Sequence, residues 1–420
     1  MGTTSICGVL MDTDTGEVLR SRTENSNAFL NGRSPWERIQ DPEKIVSLAM
    51  QILEDLLSNA VVTIGVTGQM HGIVYTDMQG KAVSPLYTWQ DGRGNQPFGG
   101  TTYAGYMRSH SGYGHVTHFY NTVNGLVHPR AVGFCTIHDY LVMRLCGLKK
   151  ALIHDSDAAS FGDCHLEKNA FAGNGALDVV SDFHVAGNYR GIPVSVAIGD
   201  NQASVFSCLT GTDGILLNIG TGSQISVLSD HVIDANGIES RPYFDGTYLV
   251  VGAALCGGRA YAVLKDFYAR VLGYATEIED ARVYGIMEQM LHGIEHSSLT
   301  VDTRFSGSRA DENLRGSIHG ISTQNFTPEE LTCGVLEGII NELHALYCTM
   351  GVQRRALAGS GNGLRMNPAL CLAAERVFGA TMHIPLHTEE AAYGAALFAL
   401  VAAGYCRNAG EAQRLIRFKT

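Results

Sequence analysis

The stretch from Val194 to Ser204, Val-Ser-Val-Ala-Ile-Gly-Asp-Asn-Gln-Ala-Ser, brings one carboxylate to the end of an apolar run. An alternating strand that stops at Gly199 leaves Asp200 at its open end, with small residues Ala203 and Ser204 behind it. Open α/β sheets bind ligands beyond the carboxyl ends of their strands, where an Asp can accept a proton from a substrate hydroxyl. The same residue can also cap the following helix, and on the residues alone both roles stand. A second candidate group, Trp89-Gln90-Asp91-Gly92-Arg93, sets a large ring beside polar groups, which suits either a sugar platform or a core anchor.

Two turns share one pattern, Gly2-Thr3-Thr4-Ser5 and Gly220-Thr221-Gly222-Ser223, and each feeds an alternating apolar strand. Glycine lets backbone approach closely, and turn amides with Thr and Ser hydroxyls can donate to phosphate oxygens. Facing each other across a cleft, two such hairpins would clamp a polyphosphate between two related domains. The glycine-rich run Gly359-Ser360-Gly361-Asn362-Gly363 suits either contact with a flat base or a flexible turn. His154-Asp155-Ser156-Asp157 has metal-ligand residue types but no second cluster at ligand spacing, so it is expected to be a polar turn or cap. His138 and Asp139 are expected to cap and decorate a helix running through Leu145.

The elements that must position these residues follow an α/β grammar. Ile6–Met11 and Glu17–Arg22 read as a hairpin around Asp12–Gly16. Asp41-Pro42-Glu43 starts a helix whose apolar face holds Ile45, Leu48, Ile52, Leu53 and Leu56. Val61–Val66 reads as a buried parallel strand running into Thr67-Gly68-Gln69-Met70-His71-Gly72, and Tyr103–Phe119 as a loop region that could overhang a cleft. In the second half, Ile215–Ile219 and Gln224–Leu228 form another hairpin. Thr327-Pro328-Glu329-Glu330 opens a helix through Tyr347, and Glu389-Glu390-Ala391-Ala392 begins a small-residue helix that can pack very closely.

A chain of 420 residues is too long for one ordinary core and predicts two domains, at 1–206 and 207–420. A formal net charge of -11 argues against nucleic acid as a partner while leaving local anion binding open. The 10 cysteines lack regular spacing and read as reduced, mostly buried thiols of a cytoplasmic protein. No apolar stretch is long enough to span a bilayer, so no membrane partner is expected.

In order along the chain, Gly2-Thr3-Thr4-Ser5, Gly68-Gln69-Met70-His71-Gly72, Trp89-Gln90-Asp91-Gly92-Arg93, Gly199-Asp200, Gly220-Thr221, Gly359-Ser360-Gly361 and Ala391-Ala392-Tyr393-Gly394-Ala395-Ala396 resemble the motifs of the FGGY carbohydrate kinases. Thr136-Ile137-His138-Asp139-Tyr140 with Cys146-Gly147-Leu148, and Gly199–Ser204, are most similar to the sedoheptulokinase branch, with xylulokinases next. The resemblance implies two related domains of the actin/hexokinase-like (ribonuclease H-like) α/β fold with an interdomain cleft, sugar in the first domain and nucleotide in the second. It implies ATP-dependent phosphorylation of a free ketose, sedoheptulose to sedoheptulose 7-phosphate, by a monomer or homodimer.

By the same resemblance Asp200 is the catalytic base and a ligand of Mg²⁺. Gln69, Met70, His71, Trp89, Gln90, Asp91 and Asn201 line the sugar. Gly2, Thr3, Thr4, Gly220 and Thr221 bind phosphate, and Gly359, Ser360 and Asn362 bind adenosine. The family pattern Asp-x-Gly-Thr-Thr-Ser is matched from x onward, and the adenosine loop carries Asn362 where glycine and alanine are usual. Since Ile215–Ile219 precedes the second Gly-Thr turn and only Met1 precedes the first, most of a first strand is expected to be missing, with Met1 a misassigned or secondary start. The alternatives are a xylulokinase or other pentulose or polyol kinase, and a sugar-binding regulator that has lost phosphoryl transfer.

Overall fold

The computed structural model describes residues 1–162, 164–165, 170–171, 178–274, 279–308, 311 and 313–419. They gather into two compact units: Met1–Ser207 with Arg241–Tyr248 and Glu389–Arg417, and Cys208–Ser240 with Leu249–Thr388 and the chain from Phe418. The segments 241–248 and 389–417, placed in the second domain by a single division after residue 206, thus pack with the first unit.

In the first unit β1 (Ser5–Met11) and β2 (Val18–Asn25) form the antiparallel hairpin, with Ser5 opposite Asn25 and a register shift between Leu10 and Met11. Asp12 Oδ1 closes the turn by accepting the N–H groups of Asp14 and Thr15. Helix α1 (Pro42–Leu56) starts on Asp41, which accepts from the N–H groups of Glu43 and Lys44, and it buries Ile45, Val46, Ala49, Ile52 and Leu56.

The apolar run at 61–66 is less regular than a buried parallel strand should be. Ile64 makes an isolated parallel bridge to Val194, and a ladder forms only where β3 (Thr67–Gly68) meets the later strand Ile198–Gly199. The physical reason is one-sided pairing. Its backbone bonds run to residues 193–198 on one flank, while on the other, among the described residues, they meet Met1 alone.

Helix α2 (Ile137–Cys146) opens with a capping box between Thr136 and Asp139 and ends at Gly147 in the left-handed region, φ 68. His154–Asp157, expected as a polar turn or cap, is buried, and His154 caps α3 (Asp155–Ser160) by accepting the Ser156 N–H. Strand β4 (Ile198–Gly199) leads without a break into α4 (Asp200–Phe206).

The second unit holds a six-stranded sheet of β5 (Gly214–Ile219), β6 (Ser223–Ser229), β7 (Ile238–Pro242), β8 (Tyr248–Ala254), β9 (Ala356–Ser360) and β10 (Met382–His383). Their spatial order is β7-β8-β6-β5-β9-β10, with β5 antiparallel to β6 and parallel to β9. Its helices are α5 (Gly258–Gly273), α6 (Asp280–Met290), α7 (Pro328–Met350), α8 (Asn362–Met366) and α9 (Pro368–Phe378). Thr327 caps α7 through the Glu330 N–H, and Leu336, Ile339, Ile340 and Leu343 carry its apolar face into a core with Leu217, Ile225 and Val250.

The chain then returns to the first unit as α10 (Glu390–Ala402). Its small residues permit very close approach. A Cβ at Gly394 would stand 1.8 Å from the Ala203 carbonyl oxygen, and one at Gly65 would stand 1.9 Å from that of Ala395. Phe398 joins Phe206 and Phe244 in a buried aromatic group, with centroids 5.1 and 5.2 Å from Phe244. Among the described residues no helix is long and apolar enough to cross a membrane, and the described cysteines are free thiols.

Candidate active site

Gly199 takes the N-cap position of α4, so Asp200 is the first helical residue, with its carboxylate partly buried at the strand's end. Burial raises its pKa above the ordinary aspartate value, against the lowering influence of His138, the Met1 amino group, Arg241 and the Asn201 N–H. Behind it His138, read from the sequence as helix decoration, meets Asp157, read as part of a polar turn or cap. His138 is buried, with Nε2 at 3.0 Å from Asp157 Oδ2. Burial holds the imidazole down to about 4 and pushes the Asp157 carboxyl well up, with the charge of Asp200 adding to that rise. Burial thus disfavours the charged form of both carboxyls, Asp157 and Asp200.

A closed hydrogen-bond ring joins the first Gly-Thr turn to the expected sugar-side residues. The Trp89 indole N–H donates to Thr3 Oγ1 (2.9 Å), and Thr3 Oγ1 donates to Gln69 Oε1 (3.4 Å). Gln69 Nε2 donates to Gln40 Oε1 (3.0 Å), and Gln40 Nε2 donates to the Thr3 carbonyl (2.6 Å). Trp89 is 46% exposed, which rules out the core-anchor reading, and Gln90 beside it is exposed as well.

Met70 is buried against Gly199, where a Cβ would lie 2.6 Å from its sulfur. His71 holds φ 70, stacks on Tyr113 at 4.2 Å and points Nδ1 at the Ser160 carbonyl (2.7 Å), which fixes a proton on Nδ1. Asn201 follows Asp200 in the first turn of α4.

Asp91 is buried with both oxygens engaged inside the protein. Oδ1 accepts from the Arg93 N–H (3.1 Å) and Nε (2.6 Å), and Oδ2 accepts from the Arg38 N–H (3.0 Å). The Arg93 guanidinium also lies 4.1 Å from the Tyr87 ring centroid and reaches Asn121. Asp91 thus fixes the loop that presents Trp89 and Gln90.

In the second unit the exposed Gly220-Thr221 turn lies at the carboxyl ends of the parallel pair β5 and β9, with Gly359 and Ser360 as the buried last residues of β9, Asn362 as the first residue of α8, and a tight loop at Gly361 between them. Cβ atoms at Gly361 and Gly363 would stand 2.5 and 2.7 Å from the Ile219 carbonyl oxygen, so glycine is what lets this loop close on the strand end. The start of α5 joins them: the Gly258 N–H donates to the Gly220 carbonyl (2.9 Å) and the Arg259 N–H to that of Thr221 (3.0 Å). Backbone amides, a helix N-terminus and small side chains at strand ends suit phosphate and nucleotide.

The N-terminal domain model of the FGGY family of carbohydrate kinases matches residues 1–171, and its C-terminal domain model matches residues 215–403. The chain belongs to the FGGY family of carbohydrate kinases. It is 29% identical to the sedoheptulokinases of Mus musculus and Homo sapiens, over 95% of this chain and 96% of each of those proteins. It is 23% identical to the xylulose kinase of Staphylococcus xylosus over 94% of this chain and 88% of that protein. Among solved structures, the xylulose kinase of Rhodospirillum rubrum superposes with a TM-score of 0.83 at 18% identity, covering 100% of this chain and 92% of that one. Plasmodium falciparum glycerol kinase with ADP gives 0.74 at 15% identity, covering 100% and 92%. The fold is thus the two-domain α/β fold of these kinases, and the chain is an ATP-dependent sugar kinase.

Three features around the candidate residues are not legible in the sequence. Gln40 ends a short strand with no motif around it. The His138–Asp157 contact joins α2 to α3 across sequence, and only the burial of both polar residues in the fold reveals it. Gly257-Gly258-Arg259 stands in the sequence as a plain Gly-Gly pair, and its contact with the Gly220-Thr221 turn depends on β8 delivering it there.

Proposed function

We propose that this kinase phosphorylates a free ketose at its terminal hydroxyl, converting sedoheptulose to sedoheptulose 7-phosphate. The observation that carries the reading is Asp200: a carboxylate at a strand end, in the first turn of α4, with His138 and Asp157 near enough to act on its charge. In this reading Asp200 accepts the hydroxyl proton as that oxygen attacks the γ-phosphorus of ATP. Gln69, Met70, His71, Trp89, Gln90 and Asn201 face the sugar, and Asp91 sets their loop. Gly2, Thr3, Thr4, Gly220 and Thr221 cradle phosphates, joined by the Gly258 end of α5, while Gly359, Ser360 and Asn362 meet the adenosine. The unit of Met1–Ser207 with Arg241–Tyr248 and Glu389–Arg417 carries the sugar side, and the unit of Cys208–Ser240 with Leu249–Thr388 the nucleotide side.

A Mg²⁺ ion fits this donor set. Among the described residues no group of three or more His, Cys, Asp or Glu could hold a metal, yet Mg²⁺ bound through substrate phosphates needs only one or two carboxylates. The partly exposed Asp200 carboxylate supplies one, and the ion would neutralise charge on the phosphates. Sedoheptulose is favoured over xylulose by similarity to two sedoheptulokinases across 95% of the chain. The free thiols suit a cytoplasmic enzyme. ADP release measured with sedoheptulose, xylulose, ribulose, fructose and glycerol tests the assignment: the highest kcat/KM on xylulose or glycerol would move it to that substrate.

A further inference from the structure

The helix Gly114–Val123 holds none of the residues assigned above, yet it carries a fully buried polar side chain, Asn121. Both ends of that amide are engaged inside the protein. Oδ1 accepts from Nη1 of Arg93, and Nδ2 donates to the Tyr75 hydroxyl (3.4 Å), which lies 2.9 Å from His118 Nδ1.

Arg93 is itself buried, with its guanidinium 4.1, 5.4 and 5.9 Å from the ring centroids of Tyr87, Tyr120 and Trp36. Two of its nitrogens grip Asp91, Nε at 2.6 Å from Oδ1 and Nη2 at 3.2 Å from Oδ2. Asn121 takes the third, Nη1, so the guanidinium is held from two sides.

The chain leading into the same helix touches both groups that the sugar reading uses. Ser111 Oγ donates to the Asp91 carbonyl (3.0 Å), and Gly112, at φ 85, runs so close to Trp89 that a Cβ would stand 1.9 Å from its carbonyl oxygen. Tyr113, in the N-cap position, stacks on His71 at 4.2 Å with the ring planes 10° apart. The helix therefore meets the 88–92 loop twice, through Ser111 and Gly112 at its start and through Asn121 and Arg93 near its end, and meets His71 through Tyr113. A buried ion pair is seldom more stabilising than apolar packing of equal volume, so the Asp91–Arg93 pair is better explained by the geometry it fixes.

We propose that Asn121 is a positioning residue of the sugar site. By holding Nη1 of Arg93 it keeps the guanidinium fork aligned on Asp91, and so sets Trp89 and Gln90 at a fixed place relative to His71. The inference rests on the reading that Trp89, Gln90 and His71 face the sugar.

The test measures KM for sugar and for ATP separately, with the sugar that gives wild type its highest kcat/KM. Asn121→Ala leaves Nη1 buried without its acceptor and should raise KM for sugar by about ten- to a hundredfold while KM for ATP stays unchanged. The chain's 2 tryptophans, Trp36 and Trp89, both lie beside this network, so the sugar-dependent change in intrinsic fluorescence should move to higher sugar concentration by the same factor. Asn121→Asp keeps an oxygen facing Nη1 and should return KM for sugar to within about threefold of wild type. Arg93→Lys keeps the charge but cannot span Asp91 and Asn121 together, and should raise KM for sugar in the same way, which keeps the proposal testable if Asn121→Ala does not fold.

Asn124→Ala is the structural control. It removes bonds to the Tyr120 carbonyl (2.8 Å) and the Tyr103 hydroxyl (3.0 Å) at the end of the same helix, and should lower the melting temperature without changing KM for sugar. Unchanged KM for sugar in Asn121→Ala or in Arg93→Lys, an equal rise in KM for ATP, an equal rise in Asn124→Ala, or no recovery in Asn121→Asp would overturn the positioning role while the sugar reading stands. Turnover of none of the sugars by wild type would overturn the sugar reading and this inference with it.

Discussion

Gly394→Ala should slow this enzyme without touching a substrate. The backbone of α10 lies so close to α4 that the new Cβ would fall 1.8 Å from the Ala203 carbonyl oxygen, where ordinary contact begins at 3.4 Å. The two helices must therefore part by roughly 1.6 Å. Ala203 lies in the same seven-residue helix as Asp200, so the shift passes directly to the carboxylate. Overpacking of this kind costs about 1–3 kcal/mol of stability, and a misplacement of ~1 Å at a reacting group costs about 10²-fold in rate.

The assay is ADP release with saturating sugar and ATP, beside thermal melts of the same samples. Gly285→Ala is the control: it lies in α6 with nothing within 4 Å of the added carbon, and should be neutral or stabilising by up to about 1 kcal/mol. Wild-type turnover and melting in Gly394→Ala, or an equal loss in Gly285→Ala, would refute the packing argument.

Other perturbations follow from buried charge. Asp91→Asn leaves the buried Arg93 guanidinium without its carboxylate and should cost about 3–5 kcal/mol in urea unfolding. The Asp139 carboxyl is pushed up to about 7, by burial first and by Asp157 next. Because its folded pKa is raised, the stability it contributes is full below the unfolded value near 3.8 and is lost as pH rises through about 7. Asp139→Asn should therefore gain on wild type by on the order of 4 kcal/mol between pH 4 and pH 7, and a flat difference would contradict this. The pH profile of kcat/KM should fall on the acid side with a midpoint above that of an ordinary aspartate, since burial raises Asp200 and only its ionised form can take the proton. A midpoint at or below the ordinary value would remove Asp200 from that role.

What the sequence discloses here is local. Asp41, Thr136 and Thr327 cap their helices because the cap chemistry lies within four residues. Both glycine hairpins form where alternation and turn residues place them. Asp200 was legible because a buried strand must end somewhere, and Gly199 marks the end.

What stayed hidden depends on distant partners. The return of α10 to the first unit rests on backbone contact between Gly394 and Ala203, which no periodicity encodes. The run at 61–66 has the composition of a buried strand but, among the described residues, pairs with a strand on one flank only, so composition overstates its regularity. Asp91 reads as a substrate ligand until Arg93 is seen holding it. His138 reads as helix decoration until Asp157 arrives from α3.

The most direct test of the central claim compares wild type with Asp200→Asn for sedoheptulose-dependent ADP release from Mg-ATP, with sugar binding measured separately by calorimetry. The account predicts that the variant binds sedoheptulose with unchanged affinity while turnover falls by roughly 10²- to 10⁴-fold. Turnover equal to wild type in Asp200→Asn would contradict it.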